Sequence, residues 1–170
     1  MPIPHALKIS RTSRGMRQGD VPVPYSQQMV SAIEQGKREI APDMAPRFAE
    51  ALDHPAMYME LARELTGGYG PAWLDGPNVD THRASIRERC LEEMEEAMDF
   101  IRKSPASTLP SVETDADHKR RYEHLLQCFD AIVALHNYVG SQCIEYGFSM
   151  MRLSQDHYNK LKSRRYVQAN

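Results

Sequence analysis

The sequence predicts an all-α protein in two parts: a compact set of about five short helices, then longer helices packed as an antiparallel bundle. Three observations point there. Apolar residues recur at three- and four-residue spacings, and no segment alternates as a strand would. Glycines, prolines and Asp53 cut the opening of the chain into short pieces. The run GGYGPAWLDGPNVD at 67–80 carries neither period and marks a break. The expected division is therefore a first domain at 1–66, a linker at 67–80 and a second domain at 81–170.

The first helix is expected at 5–13, stopping before Gly15, and the second at 16–21. The second runs into Pro22 and Pro24, and a proline inside a helix costs about 3 kcal/mol, so this helix must be very short or distorted. The third spans 27–35 and ends at Gly36. The fourth, 42–52, and the fifth, Pro55–Leu65, open on Pro42 and Pro55, which suit a first helical turn. Leu7, Val21, Val30, Ile33, Met44, Phe48, Leu52, Met57, Leu61 and Leu65 should then form one small core.

Beyond the break, where Trp73 and Leu74 are expected to anchor one domain on the other, residues 81–103 place Ile86, Cys90, Met94, Ala97 and Ile101 on one stripe. A polar loop at 104–114 follows. The stripe of Asp115–Tyr146, from Tyr122 to Val139, is wider than a single helix contact needs and should face two partners. Gly147 interrupts the chain before a last helix with Met150, Leu153, His157 and Leu161 in line. Lys160, Lys162, Arg164 and Arg165 gather near its end, where cations suit the helix dipole.

Composition limits the functional classes. With 170 residues, 41% hydrophobic and 26% charged, the chain should fold. It has no run of about 18 apolar residues and no signal-like opening, so neither secretion nor a membrane span is expected. Cys90, Cys128 and Cys143 lack CxxC spacing and suggest reduced thiols in a cytoplasm. The acidic residues Glu92, Glu93, Glu95, Glu96 and Asp99 spread around their helix, and the histidines and cysteines form no tight ligand pair, so no metal site is expected. GGYGPAW lacks the Gly-Lys-Ser/Thr of a phosphate loop, and no nucleophile stands with a base, so no cofactor, catalytic residue or enzymatic activity is expected. Net charge is −2, yet residues 1–40 carry an excess of three positive charges, where a phosphate-binding surface needs them. The cations of HKRR at 118–121 sit near a helix start, where the dipole disfavours them, and hint at an acidic partner.

The segment QQMVSAIEQGKR at 27–38 carries the most chemistry. It turns Val30 and Ile33 to a core while offering amides, a hydroxyl and cations outward. A glutamine amide can pair bidentately with adenine N6 and N7 in the major groove. Adjacent glutamines point about 100° apart, so one reads a base while the other contacts phosphate or sugar. Gln28 is the favoured reader.

Leu7-Lys8, Arg11, Gly15-Met16, Gln18, Ser26, Val30-Ser31, Ile33-Glu34, Gly36-Lys37-Arg38, Met44-Ala45 and Phe48-Ala49-x-x-Leu52 together resemble the Cro/repressor (Xre) helix-turn-helix family over the first 65 residues or so. The resemblance implies a five-helix, lambda-repressor-like domain in a bacterial or prophage transcriptional regulator, most simply a repressor, with double-stranded operator DNA as its partner. Gln18 then falls where the family binds phosphate or supports the recognition helix, Ser26, Gln27, Gln28 and Ser31 where base edges are read, and Lys37 and Arg38 in the turn approaching the DNA backbone. Pro22 and Pro24 depart from the family pattern by shortening the second helix. The C-terminal helices, with Tyr122, Phe129 and Tyr138, are expected to form a homodimer or homotetramer. The competing possibility is an interaction protein, such as an antitoxin, antirepressor or phage adaptor, that binds a protein through 81–170 and has altered or lost DNA binding.

Overall fold

The computed structural model describes residues 2–104 and 109–168, which hold seven α-helices and no strand. Part of the expected polar loop, 105–108, lies outside the described residues. Helix α1 spans Ile3–Ser13. A single 3-10 turn at Gln18–Asp20 stands where a helix at 16–21 was expected. The cause is Pro22 and Pro24, each the middle residue of a three-residue turn: Val23 N–H donates to the Val21 carbonyl at 2.8 Å and Tyr25 N–H to the Val23 carbonyl at 2.7 Å. Val21 is buried and the Tyr25 ring meets Phe48 edge-on at 5.4 Å, so the bends are tied to the core.

Helix α2, Gln27–Glu34, is capped at its start by Ser26, whose Oγ accepts from Met29 N–H. It stops at Gly36, which has φ 69°. Gly36 N–H donates to the Ile33 carbonyl and Lys37 N–H to the Ala32 carbonyl, both at 2.9 Å, satisfying the last turn as a C-terminal glycine does. Helix α3, Ala45–Leu52, begins later than expected because Pro46, not Pro42, occupies its first turn. Helix α4, Pro55–Leu65, is capped by His54, whose Nδ1 accepts from Ala56 N–H at 3.2 Å. Leu7, Val30, Ile33, Phe48, Leu52 and Met57 are wholly buried among these helices. Leu65 departs from expectation: at the last residue of α4 it is 60% exposed, and the buried stripe of that helix ends at Leu61.

The chain divides into two compact units, Met1–Leu74 with Gly140–Asn170, and Asp75–Val139. The first unit is discontinuous. It takes in the end of α6 (Asp115–Tyr146) and all of α7 (Met150–Ser163), where the sequence suggested a second domain running unbroken over 81–170. The packing reason is visible at Gly140, where a Cβ would lie 2.8 Å from both Pro55 and the Trp73 ring. Met151 N–H also donates to Asp53 Oδ1 at 3.2 Å, and Cys143 is buried. Trp73 is held within this unit, its backbone N–H donating to Glu60 Oε1 at 3.2 Å and its ring edge-on to His54. Helix α7 buries none of its residues, so the expected stripe through Leu153 and His157 is exposed.

In the second unit, Phe100 of α5 (Arg83–Lys103) lies 4.7 Å from His124 of α6, ring centre to ring centre. Cys90 and Ala97 of α5 are buried and Ile86 and Met94 half-buried, while Ile101, expected on the same stripe, is exposed. Among the described residues no helix is long and apolar enough to cross a membrane.

Candidate nucleic-acid interface

Helix α2 is fixed by one carboxylate. Arg11 of α1 donates to both oxygens of Glu34, from Nε at 2.6 Å and a terminal guanidinium nitrogen at 3.1 Å. Its other terminal nitrogen reaches the Met16 carbonyl at 2.6 Å. Gln18, in the 3-10 turn, donates its amide to Glu34 Oε2 at 2.8 Å. Three segments thus converge on Glu34, whose side chain is 5% exposed. Burial alone pushes the Glu34 carboxyl up, but hydrogen bonds from Arg11 and Gln18 and the charges of Arg11 and Lys8 outweigh it and hold the group below its ordinary value. The Arg11 guanidinium is raised, chiefly by its hydrogen bond to Glu34.

This fixing decides which side of α2 faces solvent. Val30 and Ile33 are buried, and at 100° per residue Gln28 stands about 170° from their shared face. Gln28 is exposed, as is Gln27, which lies on the flank beside Gly19. Ser26 is exposed, with its hydroxyl engaged as the helix cap. Ser31 is half-buried, and its Oγ accepts from the Gln35 amide at 3.0 Å. Lys37 and Arg38 are exposed just past Gly36.

Of the residues singled out from the sequence, Gln28 and Ser31 share an outward row. Gln27 and Ser26 stand at the helix start beside it, and Lys37 and Arg38 follow its end. Gln18 is placed apart, as a strut under the helix, bonded to Glu34. Two contributions went unread in the sequence. Gln35 joins the outward row one heptad after Gln28, a spacing that the sequence already displays. The Arg11–Glu34 pair joins residues 23 apart, and no local pattern announces such a contact.

The arrangement offers exposed amides at Gln28 and Gln35 on one helix, with exposed cations at Lys37 and Arg38 just past its end. Such a surface can hydrogen-bond base edges and neutralise phosphates. No protein-family model, curated protein or solved structure matches the chain, so what this surface can do follows from its residues and their geometry.

Proposed function

We propose that the chain is a sequence-specific, double-stranded DNA-binding transcriptional regulator of the Cro/repressor type, acting as a repressor by occluding an operator. In this reading α1 to α4 and the 3-10 turn form the helix-turn-helix domain, α2 is the recognition helix, and the C-terminal helices join copies into an oligomer. The observation that carries it is the Glu34 junction, which holds α2 with Val30 and Ile33 inward and Gln28 directly outward. The junction fixes the helix that carries Gln28 and Gln35, and so fixes which way those exposed amides face.

Gln28 would read adenine edges, Gln27 and Ser26 the neighbouring sugar or phosphate, and Lys37 and Arg38 the backbone. The competing reading, an interaction protein without DNA readout, draws support from the single turn that replaces the second helix. Selection of bound sequences from a random duplex pool at two salt concentrations separates them. A regulator enriches a two-fold repeated sequence, and binding falls steeply with salt. Recovery of unselected duplex at both salt concentrations would remove the DNA reading.

A further inference from the structure

Helix α6 shelters its small and polar side and leaves its apolar side open. His124, Cys128, Ala131 and Ala134 are buried or half-buried. His124 meets Phe100, and its Nδ1 lies 3.1 Å from Ser104 Oγ. Tyr122, Leu126 and Phe129 lie about 145–175° around the helix from that side, and Leu125 and Ile132 about 95–115° from it, on the flank. All five are 45–65% exposed. The inside of this unit does not compensate. Among its described residues only Cys90, Ala97, Ala134 and Asn137 are buried, and none is large.

At roughly 100 Å² apiece the five open residues approach the largest apolar patches of ordinary monomers, and with Val133 and His136 beside them they make up the larger part of the area each partner of a standard interface covers. The spacing from Tyr122 through Leu125, Phe129 and Ile132 to His136 is that of a helix seam, with Leu126 and Val133 widening it to a bundle face. The seam is also self-complementary about its middle residue, Phe129.

We infer that α6 packs antiparallel on α6 of a second copy of this chain, crossing at Phe129, to close a four-helix bundle from two α5–α6 pairs. A parallel pairing would bring two copies of Lys119-Arg120-Arg121 together, and the antiparallel one keeps them apart. In this register Tyr122 of one copy lies against His136 of the other. The inference deepens the oligomeric part of the function proposed above. It is measured without DNA, so failure of either leaves the other standing.

Sedimentation equilibrium of the full chain tests it, with helix content followed by circular dichroism. The native chain should sediment at twice its mass at micromolar concentration. Tyr122→Glu should weaken association at least tenfold with helix content unchanged, and adding His136→Lys should restore most of the loss. Within one helix these positions are 14 residues, about 21 Å, apart, so the restored pairing can only be between copies. Leu153→Glu, on α7, should leave association as it was. A native chain that stays monomeric at 100-fold higher concentration overturns the proposal. So does a Tyr122→Glu chain that dimerises like the native one, or a double variant that gains nothing back.

Discussion

At the scale of single residues, two buried ionisable side chains set how the first unit responds to substitution and acid. Replacing Arg11 with Met keeps most of its stem but leaves the Glu34 carboxylate with only the Gln18 amide. Breaking a sheltered ion pair from one side in this way should cost about 3 kcal/mol, readable as a lower urea midpoint. Because the Glu34 carboxyl is held below its ordinary 4.5, its stabilising contribution is complete above that pH and disappears as pH falls through the lowered value. His54 acts at milder acidity. Burial, helped by the charge of Arg14, lowers it from 6.5 to about 4, so it folds as the neutral ring whose Nδ1 caps α4. The folded state then binds fewer protons than the unfolded one between those values. Stability is full above pH 6.5 and declines by roughly 3 kcal/mol as pH approaches 4. His54→Asn keeps a capping acceptor and removes the titration, so urea midpoints measured at pH 4.5 and 7 should converge in the variant. An unchanged pH profile would show that His54 does not titrate against folding.

At the scale of elements, capping chemistry was legible and long-range packing was not. Gly36 and Gly147, both with φ 69°, end helices where the sequence placed them, because a left-handed residue after the last turn favours glycine locally. Pro55 likewise marks the start of α4. The fourth helix begins later than Pro42 suggested, because Pro46 occupies its first turn. The outward row of α2 could be read from the periodicity of Gln28 and Ser31 against Val30 and Ile33, whereas its support by Arg11 and Gln18 needed the folded chain. Gly140 is the sharpest case. In the sequence it is a weak link inside a long helix, and in the structure it is the point where α6 meets Pro55 and Trp73. Gly140→Ala sets a gain in helix propensity of about 1 kcal/mol against overpacking of about 1–3 kcal/mol. Since the added carbon would sit 2.8 Å from both neighbours, the clash should prevail and thermal unfolding should occur earlier. A later transition would mean that the two surfaces yield easily.

At the scale of the whole molecule, the proposed regulator needs two copies on one duplex, for reasons of charge. The basic excess near the start of the chain is small, three positive charges over residues 1–40. One copy should therefore hold DNA weakly, while two joined copies gain affinity through effective concentration with no new contact. Under these proposals self-association falls to α6 and DNA readout to α2, so each can be tested with the other left intact. Readout by α2 is the central claim, and Gln28 is its point of greatest exposure to test. Full-length chain and its Gln28→Ala variant should be titrated by fluorescence anisotropy onto the selected duplex and its single-base variants at fixed salt. The variant should lose about 1–3 kcal/mol on the selected sequence and discriminate less at one or two base pairs. Equal affinity and equal discrimination by both chains would contradict the assignment of α2 as the reading helix.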